Sequence, residues 1–534
     1  MAEKKEASFV KGAIILAIAS VLVKVIGAVF RIPLTNLVGD YTMGLYSYAY
    51  RYYSILLTIA TAGIPIAISK MVSESRALGR RRETTKIFRT AMGLCVTIGL
   101  AGTLVLMGAS GALAKNVIKD VNVIPSIIAL SPAVLFMAVT AGFRGYFQGH
   151  ENMVPTALSQ IIEALSRLLI GLALAWMLMS WGFEEKFIAS GVILGITIGT
   201  VLTVILMVSI LLRKKAKEGR LPDEGGECRG SSEILKSILA VAVPVTLGSL
   251  VMNLTTTIDS VLIPIRLANM GYDSHQTTTM YSIYDNYALP LFNLVPSIII
   301  SLNVSVTPTI SAAHAVRDYE KLSKTILSAL RIVVIFTLPA AVGISVLSEP
   351  ILAILYKTEG SVAVAAPILS VLGLASFFLC ASSLTSTSMQ ALGRANLPLI
   401  TMLIGAVVKV LANYYLIAVP GVELLGAAIG TVLCYVVITV LNMLFLRRVA
   451  KFKPPMVETF LRPLISCAIM GLVVYFSYKL CLPFLGNLVS VALSIVAGVI
   501  VYFAAMIISR GITREDVLGL PKGELIASKL FRNK

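Results

Sequence analysis

The sequence predicts an all-α polytopic membrane protein of about fourteen transmembrane helices, with two pseudo-symmetric six-helix lobes and a C-terminal helix pair. Three observations predict it. Hydrophobic residues make up 57% of the chain and charged residues 13%, about half the charged share of a soluble domain; the mean hydropathy is +0.89. The apolar residues gather into runs of about 20, the length that crosses a hydrocarbon core as a helix, not into the alternating ten-residue segments of a barrel. The cations collect in alternate connecting segments, as the positive-inside rule requires.

The fourteen runs are 10–30, 42–69, 87–109, 123–143, 155–179, 187–212, 237–263, 284–308, 325–347, 363–389, 398–418, 425–446, 462–480 and 487–509. The first is too long for the apolar segment of a cleavable signal peptide. With the N-terminus inside, the cytoplasmic segments are 1–11, 70–89, 144–154, 213–236, 309–324, 390–397, 447–462 and 510–534. They hold 33 of the 45 Lys and Arg, against eight at the other face, so both termini are expected in the cytoplasm. The net charge of +18 then faces anionic membrane lipids and does not imply nucleic acid.

The longest hydrophilic stretch, 213–236, has Gly, Pro and mixed charge and reads as a linker. It divides the chain into an N-terminal six-helix lobe (1–212), the cytoplasmic linker (213–236), a second six-helix lobe (237–446), and a final helix pair with a basic tail (447–534). A short repeat supports two parallel lobes: 148–155 joins spans four and five, 390–398 joins spans ten and eleven, and each leads into a helix carrying an early proline (Pro155, Pro398). Arg167 follows the first proline by twelve residues and Lys409 the second by eleven.

Ionisable groups inside spans are costly, so their positions are informative. Ser20, Lys24, Gly27 and Arg31 share one face of the first span, and Lys24 lies at hydrocarbon depth, where a cavity would receive it. In the second span Tyr46, Tyr50 and Tyr53 form one stripe beside Arg51. Two readings fit: an aromatic belt at the interface, or a wall that stacks on sugars while a guanidinium holds phosphate. In the fifth span Glu163 and Arg167 form an i,i+4 pair, either a structural pair or a gate or ion-coupling site. Asn253 belongs to a polar stripe on the seventh span, with Asp259 beside it. Asn293 belongs to another on the eighth, with Asp285 near its start. The stripes suggest a hydrated cavity, although bundles also use them as glue between helices.

The sequence has no P-loop motif, so no ATPase of its own, and no HExxH. The six cysteines (Cys95, Cys228, Cys380, Cys434, Cys467, Cys481) include no CxxC and read as small core residues. No cofactor or metal is expected, no enzymatic constellation stands out, and transport is the default.

Three segments carry a resemblance: FRIPLTNLVGDYTMGLYSYAY (30–50), ILLTIATAGIPIAISKMVSE (55–74) and FRGYFQGHENMVPTALSQIIEALSR (143–167). The chain resembles the polysaccharide-transport branch of the MOP exporter superfamily, which holds the stage V sporulation protein B-like and YtgP-like proteins and the MurJ-like lipid II flippases. The sharpest motif runs from Arg144 to Arg167. The resemblance implies a flippase of the bacterial cytoplasmic membrane that moves undecaprenyl-diphosphate-linked saccharide cell-wall precursors, lipid II first, by alternating access. It implies that cations on the first, second and eighth spans meet the diphosphate. Lys24 matches the first such position, Arg31 and Arg51 match approximately, and Asp285 stands where that branch carries arginine. Lys24, Arg31, Arg51, Tyr46, Tyr50, Tyr53, Asn253 and Asn293 are therefore the substrate-binding set, and Glu163, Arg167, Asp259 and Asp285 the gating or ion-coupling set. Coupling to the membrane potential or to a Na+ or H+ gradient follows, and cell-wall synthesis proteins are candidate partners. The rivals are a cation-coupled multidrug antiporter of the same superfamily, which would want an acidic cavity, and a non-transporting scaffold of a cell-wall synthesis complex.

Overall fold

The computed structural model describes residues 19, 22–23, 26–27, 30–218, 229–394, 396–450, 454–509 and 511. Lys24, Cys228 and most of the first expected span lie outside these residues. The helices are α1 (30–38), α2 (Asp40–Thr61), α3 (Ile64–Ala77), α4 (Arg81–Ala112), α5 (Ile124–Gly149), α6 (Val154–Ser180), α7 (Glu185–Glu218), α8 (Ser231–Asn269), α9 (Ser274–Ser282), α10 (Leu289–Phe292), α11 (Leu294–Ala315), α12 (Tyr319–Val346), α13 (Ser348–Leu355), α14 (Glu359–Ala391), α15 (Asn396–Leu416), α16 (Glu423–Val449) and α17 (Arg462–Ile508). Among the described residues there is no strand, and eleven helical stretches are long and apolar enough to cross a membrane.

The differences from the expected runs have local causes. The run expected over 42–69 is two helices, α2 and α3, joined at Ala62–Gly63. Pro65 stands in the first turn of α3, where its missing N–H costs nothing. Gly63 is required by a close approach: a Cβ there would lie 2.1 Å from the Ala242 carbonyl oxygen. The run expected over 284–308 is a π-helical turn (Ile283–Ala288), the short α10, and α11. Pro290 cannot donate to the Asn286 carbonyl, and the Tyr356 hydroxyl donates to that oxygen instead, at 2.6 Å. The stretch Val457–Ile508, 52 residues, would be about 78 Å long as one helix, far more than a bilayer core. It turns at Gly486, whose φ of +70° is not helical, between the two runs expected there.

The chain forms two compact units, Met1–Ser282 and Ile283–Lys534. In the first, α8 packs on α2, α3 and α4. Its Ile234, Ile238 and Ala242 complete a core with Ile64, Ile68, Val72, Ile87 and Ala91. Helices α6 and α7 approach closely at Gly171 and Gly195, where a Cβ on Gly195 would lie 2.6 Å from the Gly171 nitrogen; small residues make such contacts possible in lipid. Buried polar ties also hold the unit. Asp120, 2% exposed, accepts hydrogen bonds from the Tyr41 hydroxyl (3.0 Å) and the Thr278 hydroxyl (2.8 Å), fixing α9 to α2. Glu83, fully buried in the first turn of α4, pairs with Arg229 and, at 3.6 Å, with Arg80, while the Lys86 ammonium donates to the Arg229 carbonyl at 2.6 Å.

In the second unit, Asn442 on α16 is the polar node. It accepts from Thr401 of α15 at 2.7 Å and donates to Ser386 of α14 at 2.9 Å. Buried Arg331 of α12 donates to the Gly511 carbonyl at 2.8 Å. Cys95, Cys380, Cys434 and Cys467 are buried and Cys481 half-buried, the small-residue packing read from sequence.

Candidate functional site

The loops of the short sequence repeat have the same geometry. After α5, Glu151 N–H donates to Gln148 O and Asn152 N–H to Phe147 O; after α14, Gly393 N–H donates to Gln390 O and Arg394 N–H to Met389 O. These are Schellman closures, with left-handed φ values of +59° at Glu151 and +74° at Gly393. The first closure turns the chain from α5 into α6. Ser159, Glu163 and Arg167 follow one another at four-residue steps on α6, so they form a single row. The hairpin brings that row to Arg144 on α5.

There the Arg144 Nε donates to Ser159 Oγ at 2.9 Å, and Arg144 Nη2 lies 3.3 Å from Glu163 Oε2. Arg167 Nη2 lies 3.6 Å from the other oxygen, Glu163 Oε1. The three side chains are 13%, 16% and 21% exposed, in the order Arg144, Glu163, Arg167. Glu163 and Arg167 lie about 14 and 20 Å along α6 from its start, inside a stretch long enough to span a membrane. The cluster carries two guanidiniums against one carboxylate. The expected Glu163–Arg167 pair is present, and Arg144 shares its carboxylate.

The tyrosine stripe closes over it. The Arg167 guanidinium carbon sits 5.1 Å from the centre of the Tyr50 ring, in cation–π range. Tyr46 and Tyr50 are parallel with centroids 6.1 Å apart, and Tyr53 follows Tyr50 at 5.9 Å. Tyr46 and Tyr53 are buried and Tyr50 half-buried. The remaining tyrosines of α2 face elsewhere: Tyr48 stacks on Tyr281 at 4.0 Å, and Tyr52 donates to the Ser260 carbonyl of α8 at 3.5 Å.

The structure therefore joins Tyr46, Tyr50, Tyr53, Glu163 and Arg167. Arg51 is half-buried one position along α2, about 100° around the helix from Tyr50. Arg31 is half-buried on α1. Asn253 donates to the Thr58 hydroxyl, tying α8 to α2. Asp259 is buried on α8. Asp285 is buried in the π-helical turn of the second unit, beside Tyr287, which stacks on Tyr356 at 3.9 Å. Asn293 is exposed and donates to the Leu289 carbonyl at 2.8 Å. Arg144 and Ser159 are the members that the sequence reading did not assign to a site, although both fall within the Arg144–Arg167 motif.

The family model for polysaccharide biosynthesis proteins matches residues 9–314, and the MatE model matches residues 286–415. Stage V sporulation protein B of Bacillus subtilis (strain 168) is 24% identical over 435 residues, covering 82% of this chain and 83% of that protein. The lipid II flippase MurJ of the same organism is 24% identical over 483 residues, 87% of each chain. A solved structure of the lipid II flippase MurJ in an inward closed conformation superposes with a TM-score of 0.71 at 17% identity, covering 93% of this chain and 99% of that one. At that identity the likeness is one of fold.

Proposed function

This chain belongs to the polysaccharide biosynthesis protein family, within the MOP superfamily, and from that premise we propose that it is a flippase for undecaprenyl-diphosphate-linked saccharide precursors of the cell wall, lipid II first. The observation that carries the proposal is the cluster of Arg144, Glu163 and Arg167 under the tyrosines of α2. A diphosphate takes charge-assisted, forked hydrogen bonds from guanidinium. The saccharide takes aromatic faces. Neither can enter hydrocarbon unaided, so a protein-lined polar path must carry the head group while the polyprenyl tail stays in lipid. Rocking of the lobes 1–212 and 237–446 would alternate access to it, with both termini in the cytoplasm. Each charge moved against 100 mV is worth about 2.3 kcal/mol, so the membrane potential can drive the cycle; a Na+ or H+ gradient is the other source. Arg31 and Arg51, with Lys24 as the resemblance implies, are the further candidate cations for the head group.

The drug-antiporter reading is disfavoured, because a cationic drug would meet two guanidiniums and a single carboxylate. The test is native mass spectrometry of the purified protein with lipid II, competed by undecaprenyl phosphate and by a cationic dye. Wild type should retain lipid II over both, and Arg167→Ala and Arg51→Ala should lose it. Dye retained with lipid II ignored would overturn the proposal in favour of an antiporter. Lipid II held equally by all three proteins would remove the site from it.

A further inference from the structure

Arg167 is under-used as a donor. Among the described residues it makes no hydrogen bond to a protein acceptor. Its contacts are an ion pair at 3.6 Å, beyond hydrogen-bond length, and the face of Tyr50. Its Nε is sealed from solvent without a partner. Guanidinium carries five N–H donors, and a sealed donor such as Nε left unmet is expensive. Arg144, by contrast, is committed through Nε to Ser159 and through Nη2 to Glu163. The carboxylate of Glu163 thus lies between two guanidiniums, with one oxygen toward each. That is the position a phosphoryl group would take, since phosphate accepts from paired guanidiniums with the same forked geometry.

We infer that Glu163 is an internal stand-in for a phosphoryl group. In the substrate-free protein its carboxylate occupies a phosphate-binding element made by Arg144 and Arg167, and an incoming phosphate or diphosphate displaces it. The displaced carboxylate releases the Arg167 donors to the ligand oxygens, which are more numerous and better able to saturate them. The arrangement keeps two cations tolerable inside the span between transport events. It also makes Glu163 a competitor of the substrate, so removing its charge should tighten anion binding. A carboxylate that merely holds the arginines in place would have the opposite effect when lost. The identity of the anion as a lipid-linked diphosphate rests on the proposed function; the stand-in role does not.

The experiment measures equilibrium binding of undecaprenyl diphosphate and, separately, of inorganic diphosphate to detergent-purified wild type, Glu163→Gln, Glu163→Ala and Arg167→Ala, with undecaprenol as the phosphate-free control. Removing one like-charged competitor a few ångströms from the ligand should tighten both diphosphates by about tenfold, and Arg167→Ala should weaken both by at least as much. Glu163→Ala shows the same sign if Glu163→Gln folds poorly. Tightening for inorganic diphosphate alone, with undecaprenyl diphosphate ignored by every variant, would uphold the stand-in and sink the lipid-linked reading. Unchanged or weaker binding of both probes by both Glu163 variants would overturn the inference.

Discussion

Arg229→Ala tests the tie between α4 and the start of α8. Glu83 is fully buried and Arg229 is 28% exposed. Removing one partner of a buried ion pair costs roughly 3–5 kcal/mol, mostly because the other charge is left without compensation. Three features lower that figure here. Arg80 remains 3.6 Å from the second carboxylate oxygen, and Arg229 is not wholly withdrawn from water. The α4 N-terminus, whose first turn holds Glu83, also favours a carboxylate. A loss of about 2 kcal/mol remains. The assay is the thermal midpoint in lipid nanodiscs at one fixed scan rate, since unfolding of such a chain is judged kinetically. Arg229→Ala should lower the midpoint by roughly 2–5 °C. The double variant Glu83→Gln/Arg229→Ala should recover most of that, because the stranded charge is gone while an amide can still bond to Arg80. A double variant no more stable than Arg229→Ala would refute the reasoning and show that Arg229 contributes packing alone.

Further outcomes are expected from the same measurement. Gly63→Ala drives a Cβ to 2.1 Å from the Ala242 carbonyl oxygen and 2.7 Å from its Cα, atoms that cannot swing aside, and should cost about 1–3 kcal/mol. Gly93→Ala, with nothing within 4 Å of its Cβ, should be neutral or stabilising. Glu151→Gly relieves a non-glycine residue at φ +59° and should raise stability by about 1 kcal/mol. Burial lowers the His150 pKa from 6.5 to about 4, opposed by the hydrogen bond with the Tyr146 carbonyl and aided by Lys214 and Arg76. Its contribution is complete above 6.5 and fades as the pH falls from 6.5 toward 4, because the unfolded chain takes up the proton first. His150→Gln should therefore lose less stability than wild type between pH 7 and pH 4.5.

Hydropathy reads contact with lipid, and it reads little else. It placed the apolar middles of the helices but not their polar ends. Helix α4 begins at Arg81 and α8 at Ser231, each some six residues before its expected run, because polar first-turn residues such as Glu83 and Glu233 look like loop residues. The break at Gly63 was illegible because its cause, Ala242, lies nearly 180 residues away. The tyrosine stripe and the Glu163–Arg167 row were visible as helical periodicity within single elements. Their union was not, since periodicity gives a face and not the neighbour that covers it. Arg144 needed the α5–α6 hairpin to reach Glu163. The repeat-loop segments 148–155 and 390–398 signalled that hairpin, but one sequence could not say which side chains it would bring together. The π-helical turn at Ile283–Ala288 was hidden for a related reason: Pro290 marks a lost donor, but nothing local reveals that Tyr356 would replace it.

The docking of α8 has a consequence for the order of synthesis. Among the described residues five apolar helical stretches are complete by Lys214, yet the core beneath α3 and α4 still lacks Ile234, Ile238 and Ala242, Glu83 has not met Arg229, and Asp120 has not met Thr278. A ribosome paused there would hold a half-built bundle in the bilayer, with a buried-type carboxylate and an open apolar seam facing lipid or an insertion factor. Maturation of the first unit waits on about seventy more residues, so a pause in translation is safer after α9 than before α8.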